Sequence, residues 1–380
     1  MLGAVCLGPP PTSVLALSSD NYRLVPVFDP SPKFAVIPRL TLTFSTPLLI
    51  EPLDRLSSHL GQRGEPSARM FACREDMNSG LGGGGGNKLR KLEYVLADAV
   101  AQTPRPEYLV TEGGIQSNHV RQVAAAAAKL NFNSVLVIND LVPDRSHGSD
   151  PHLSRSYNEQ GNVHLTELMS AAREEHPGVK AKELLDTKRG YWIPSGASTH
   201  PLGGLGYAKW AFELVERERE MGVFFDSIVL SVMSGSTLGG MVAGFALVDE
   251  LQKRAGGLPR ERRLIGVAAG PKRREDFVKL VSEIAETTGR RIGLEKHSFT
   301  GNAFEIDLRW HGDAYGRLDD RTRKYIKLAA STEGLVVDPV YSGKALTGVC
   351  RMVEEGELRG NVLFVHTGGV LSLSAYPDMR

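Results

Sequence analysis

The chain has 380 residues, 41% of them hydrophobic and 23% charged, with a formal charge of +1. That composition belongs to a globular protein with a sizeable core and room for two domains, and the near-neutral charge without a basic block argues against a nucleic-acid partner. Cys6, Cys73 and Cys350 make neither a disulfide framework nor a metal-ligand pattern, and no run of eighteen apolar residues is present to span a membrane.

The first 37 residues are Pro- and Ser-rich and weakly patterned, and they read as an irregular arm. They lack a basic start and a clean hydrophobic run, so they read as neither a secretory nor a mitochondrial leader. A cytoplasmic location is expected, with a mitochondrial one left open. RLTLTFSTPLLIEPLDRLSSHLG then predicts a short extended piece, a Pro-marked turn and a helix, and ARMFACRED a strand. After five glycines, Gly82 to Gly86, NKLRKLEYVLADAVAQ places Leu89, Leu92, Val95, Leu96 and Ala99 on one helical face. EYLVTEGG reads as a strand into a glycine turn, and SNHVRQVAAAAAKL as a helix that Ser117 or Asn118 can cap. SVLVIND and YWIPSG continue the strands, followed by the helix GYAKWAFELVEREREMG. FDSIVLSVMSG, RRLIGVAAG and NVLFVHTGG read as strands. GGMVAGFALVDELQKR, RTRKYIKLAASTEG and ALTGVCRMVEEGEL read as helices, and LVVDPVYSGK as a strand and loop. The alternation is that of an α/β protein with mostly parallel sheets.

Five stretches could carry chemistry. In SVMSGSTLGGMVAGF a strand delivers Ser234, Gly235, Ser236, Thr237 and Leu238 to a helix start, where free N–H groups and hydroxyls can cradle a phosphate. Alone, it reads equally as an ordinary Ser/Thr cap. In TEGGIQSNHVRQ, Ser117 and Asn118 sit at a second helix start suited to a carboxylate or a ring oxygen, and His119 reads equally as a plain surface histidine. Tyr315 in HGDAYGRLDD and Tyr341 in VVDPVYSGK are each candidates for packing or for a site rim. Lys88 follows the glycines directly. Arg90 and Lys91 read as surface charges, but a lysine amine set among backbone of minimal bulk, together with a phosphate cup, points to pyridoxal 5′-phosphate as cofactor.

Seven blocks in order then carry a family resemblance: REDMNSGL, GGNKLRKLEY, GGIQSNHVRQVAAAAAKL, HPLGGLG, SGSTLGGMVAGF, TEGLVVDPVYSGK and HTGG. Over roughly residues 38–376 the chain resembles the fold-type II pyridoxal-phosphate enzymes, in the branch of 1-aminocyclopropane-1-carboxylate deaminase and D-cysteine desulfhydrase. The resemblance implies a tryptophan synthase beta-like fold with two open, twisted, mostly parallel sheets flanked by helices. It implies a large cofactor-binding domain from residues 38–90 and 205–380, a small domain from 91–204, a homodimer, and a small amino acid as substrate. Lys88 resembles the lysine that bonds to the cofactor, Ser117 the hydroxyl beside the substrate carboxylate, and Asn118 the ligand of the ring oxygen. Ser234 to Leu238 resemble the phosphate cup, and Tyr315 and Tyr341 the paired catalytic tyrosines.

Two positions bear on the substrate. The deaminase pattern has glutamate after the second tyrosine and leucine before the last glycines, whereas this chain has Ser342 and Thr367. Small hydroxylated residues at these places resemble the desulfhydrases, although the remaining blocks stand closer to the deaminase. A carboxylate beside the pyridine nitrogen would favour its protonated form and a stronger electron sink, which opening a cyclopropane needs more than thiolate elimination does. The expectation is therefore α,β-elimination of D-cysteine to pyruvate, hydrogen sulfide and ammonia. The alternatives are 1-aminocyclopropane-1-carboxylate deamination to 2-oxobutanoate and ammonia, and an inactive relative that keeps the fold for binding.

Overall fold

Parallel strands covered on both faces need apolar residues at consecutive positions, and SIVLSV and NVLFV supply them. The computed structural model describes residues 32–44, 47–61, 68–294, 299 and 301–379. Among these, ten strands form: β1 (Ile50–Pro52), β2 (Ala68–Arg74), β3 (Tyr108–Gly114), β4 (Asn133–Asn139), β5 (Ala172–Glu175), β6 (Gly190–Ile193), β7 (Ser227–Val232), β8 (Arg263–Ala268), β9 (Glu305–Asp307) and β10 (Gly360–His366). The larger sheet has the order β1-β2-β10-β7-β8-β9 and the smaller β5-β4-β3-β6. Pairing is parallel except between β1 and β2.

The period-2 alternation of side chains divides the large sheet's core in two. Ile228, Leu230, Leu363 and Val365 face one apolar cluster with Trp210, Phe245 and Phe277. Val229, Val362 and Phe364 face another with Tyr325, Leu346 and Val349. The smaller sheet packs Leu109 and Ile193 against Leu89, Leu92 and Leu96 of the helix Asn87–Ala101, the face expected from its spacing. Among the described residues no helix is long and apolar enough to cross a membrane.

Several expectations need correction. Most of the N-terminal arm lies outside the described residues, but Pro32–Ala35 is a short helix rather than irregular chain. Phe34 is fully buried there, with its ring 6.3 Å from that of Tyr94. LVVDPV is not a strand. Its donors are taken locally: the Asp338 carboxylate accepts the N–H groups of Val340, Tyr341 and Ser342, each at 2.8 Å. Pro339 has no N–H to offer a ladder. Arg90 and Lys91 are buried, not surface charges. Arg90 pairs with Glu75 at 2.5 Å and Glu213 at 2.7 Å, and burial pushes the Lys91 amine well below its ordinary pKa.

Candidate active site

The C-terminal ends of β3, β7 and β10 converge with the starts of three helices, the usual location of a ligand crevice in open parallel sheets. The cavity there has a volume of about 320 Å³, and its walls include Lys88, Ser117, Asn118, Ser234, Thr237, Tyr315, Tyr341 and Thr367. Residues separated by up to 279 positions thus share one wall.

Lys88 opens the helix Asn87–Ala101, and the glycine run shapes its approach. Gly82, Gly83 and Gly86 have positive φ (66°, 87° and 142°), a region that side chains strongly disfavour. A Cβ on Gly85 would lie 2.5 Å from Asn78 Oδ1, and one on Gly86 2.8 Å from Gln122 Nε2. The carbonyls of Gly82 and Gly85 accept from Arg121 and Gln122, each at 2.7 Å. Gly82 and Gly83 are therefore structural requirements rather than filler.

The Lys88 amine donates to Asn87 Oδ1 at 2.9 Å and stands 5.9 Å from the centre of the Tyr341 ring. Burial lowers its pKa to about 8, against the opposing pull of the Asp338 carboxylate. An amine so placed is a nucleophile near neutral pH.

Ser236, Thr237 and Leu238 are the first residues of the helix Ser236–Arg254, and no side chain caps that helix. Its first N–H groups have no intrahelical acceptors. Gly235 ahead of it has φ 80°, and Gly196 faces it so closely that a Cβ would lie 2.4 Å from Ser234 Oγ. This uncapped cradle fits a phosphate. The Ser236 hydroxyl points elsewhere and donates to Gly196 O at 3.1 Å. Asn87, which the sequence reading passed over, ties lysine and cradle together, since its Nδ2 donates to Thr237 Oγ1 at 2.9 Å. Its position immediately before Lys88 was the available signal.

Ser117 caps the helix Asn118–Lys129 by accepting the Val120 N–H. Asn118 Oδ1 accepts from Asn162 Nδ2 at 2.9 Å. His119 is buried, and its Nε2 meets Thr111 Oγ1 at 3.0 Å. Burial, with Lys88 and Lys91 nearby, holds the imidazole well below its ordinary pKa.

Tyr315 and Tyr341 share a direct hydroxyl–hydroxyl hydrogen bond, with ring centroids 5.8 Å apart. Burial raises the Tyr315 phenol to about 12 and the Tyr341 phenol well above its ordinary value. The loop that carries Tyr315 is held by Lys344, whose ammonium donates to the carbonyls of His311 and Ala314. Neither Lys344 nor Asp338 was singled out from sequence, because lysine and aspartate are ordinary surface residues until burial is known.

Ser342 is buried behind the cavity wall and gives its hydroxyl proton to Gly368 O at 2.8 Å. Thr367 lines the cavity, between Ser231 at 3.2 Å and Ser342 at 3.3 Å. Thr367 and Ser231 therefore present the hydroxyls at this end, and Ser342 supports them.

The family model described as pyridoxal-phosphate dependent enzyme matches residues 40–368. A probable 1-aminocyclopropane-1-carboxylate deaminase of Cryptococcus neoformans var. neoformans serotype D is 37% identical over 361 residues, which is 90% of this chain and 96% of the relative. A 1-aminocyclopropane-1-carboxylate deaminase of Burkholderia vietnamiensis is 40% identical over 358 residues, 90% of this chain and 97% of the relative. Among solved structures, an ACC deaminase homologue superposes with a TM-score of 0.72 at 28% identity, covering 91% of this chain and 98% of its own. An O-ureido-L-serine synthase shares the fold with a TM-score of 0.55 at 16% identity, over 88% of this chain and 93% of its own. The uncapped phosphate cradle, the buried amine beside it and a family match across most of the chain agree, and the protein belongs to the fold-type II pyridoxal-phosphate-dependent enzymes.

Proposed function

We propose that the protein deaminates 1-aminocyclopropane-1-carboxylate, giving 2-oxobutanoate and ammonia. The names of relatives at 37% and 40% identity over 90% of the chain carry this reading, and they reverse the order of preference drawn from the sequence. The N–H groups of Ser236, Thr237 and Leu238 are assigned to the cofactor phosphate, and Lys88 to the covalent bond with its aldehyde. Bound pyridoxal phosphate supplies an electron sink for the electrons released at the substrate α-carbon. Ser117 and the N–H groups at the start of its helix are assigned to the substrate carboxylate, with Asn118 beside the ring oxygen. The hydroxyl pair of Tyr315 and Tyr341 is assigned to holding a proton for the reacting carbons. The two sheets are assigned to the large and small domains, and the active form to a homodimer in the cytoplasm.

A second reading, α,β-elimination of D-cysteine, is favoured by one observation: the hydroxyls of Ser342 and Thr367, where the deaminase pattern carries glutamate and leucine, form a chain that continues to Ser231. Purified holoenzyme given each substrate separately decides between them. More 2-oxobutanoate from the cyclopropane than sulfide and pyruvate from D-cysteine supports the first reading; the reverse order overturns it.

A further inference from the structure

The charge balance of the second cavity beside the glycine run points to another ligand. This cavity, of about 330 Å³, is lined by Arg74, Asp76, Gly83, Gly84, Gly85 and Arg121, and it shares Gly368 with the cofactor cavity. Arg74 is fully engaged: its Nε and Nη2 donate to the Asp76 carboxylate at 2.9 and 2.8 Å, and its Nη1 donates to Glu51 at 2.7 Å. Arg121 is different. It is 1% exposed, and no carboxylate forms an ion pair with it among the described residues. Its Nη1 donates to Gly82 O at 2.7 Å and, at 3.4 Å, to Gly84 O. Its Nε is buried with no partner at all.

Burial lowers the guanidinium to about 10, so it remains charged at neutral pH. Buried charges are otherwise paired, and glycine carbonyls carry dipoles but no countercharge. A guanidinium fork matches the spacing of two oxygens on one oxyanion. Gly83 to Gly85 add no side chain of their own to the cavity, whose neighbouring wall over Gly83 and Gly84 is Leu371.

We infer that this cavity is a binding site for a small oxyanion of the phosphate or carboxylate class, with Arg121 as its countercharge. The site is independent of the substrate reading. An ion there would lie against the backbone that leads to Lys88 and would brace it.

Crystals of the holoenzyme soaked in sodium bromide, measured at the bromine absorption edge, test the assignment. An anomalous peak is expected at hydrogen-bond distance from the Arg121 guanidinium. Back-soaking with inorganic phosphate or with acetate should displace it, and the ion that does so identifies the class. The R121Q holoenzyme should lose the peak entirely. No peak in the cavity while bromide marks other surface sites, or a peak that neither oxyanion displaces, overturns the inference. The same holds for a peak that persists in R121Q, and for a carboxylate of a second copy filling the cavity. If R121Q does not fold, the displacement series on the natural protein decides.

Discussion

Asn87 joins the two halves of the candidate cofactor site: its side-chain carbonyl oxygen accepts from the Lys88 amine and its side-chain N–H donates to Thr237 Oγ1, both at 2.9 Å. The Asn87 backbone N–H also donates to Thr367 O at 3.0 Å, which fixes the helix start against the end of β10. Asn87→Ala keeps the backbone bond and removes both side-chain bonds. A net loss of about 1.4 kcal/mol, or roughly tenfold in cofactor affinity, is expected. Titration of the apoenzyme with pyridoxal phosphate measures it. Unchanged affinity would show that the bridge does not position the site.

The Lys88 amine gives a pH dependence of definite sign. Its pKa in the folded chain is lowered to about 8, so the fraction able to attack an aldehyde rises with pH through that value. The rate of cofactor capture by apoenzyme should therefore increase between about pH 7 and about pH 9 and then level off. Stopped-flow absorbance follows it. Over the window between the folded and unfolded pKa values the unfolded chain binds more protons at Lys88, so this residue makes the apoenzyme more stable as pH rises. Lys88→Ala should abolish covalent capture and make the rise of apoenzyme stability with pH shallower, with Lys91 and Lys344 supplying the remainder.

Within the glycine run, adjacent positions should behave oppositely. A Cβ on Gly85 would stand 2.8 Å from both Asn78 N and Asp76 O, backbone atoms that cannot move aside. Gly85→Ala is expected to destabilise the protein by about 2 kcal/mol or more. Gly84 has an extended φ of 165°, and its Cβ would meet nothing nearer than Leu371 Cδ1 at 3.6 Å. Gly84→Ala should fall within about 0.5 kcal/mol of the natural protein. Urea unfolding of the two variants side by side makes the comparison, and equal losses would contradict it.

The hydroxyl chain at the Thr367 end makes the substrate question accessible to mutation. Ser342→Glu with Thr367→Leu removes the donors between Ser231 and Gly368 and places a carboxylate behind the wall. The ratio of cyclopropane opening to D-cysteine elimination should rise by about tenfold or more. Product assays on both substrates give the ratio, and a double variant with both activities unmoved would show that these positions do not govern selectivity.

The sequence by itself determined the parts that depend on local pattern. Apolar runs marked β7 and β10, 3.6-residue spacing marked the Lys88 face, and short polar residues at strand ends marked Ser117 and Ser234 at helix starts. Their ordered blocks sufficed to assign pyridoxal phosphate. Tertiary structure decided which ordinary residues became exceptional. Arg90, Lys91 and Arg121 look alike in sequence, yet one is paired, one is held as a depressed amine, and one is buried with no carboxylate partner among the described residues. Ser342 and Thr367 stand alike in sequence as positions that bear on the substrate, but the turn after β10 places Gly368 O where the Ser342 proton goes, behind the cavity wall. The reason is physical. Helix and strand patterns are written within a few residues of each other, whereas burial, ion pairing and hydrogen-bond direction depend on residues that only folding brings into contact.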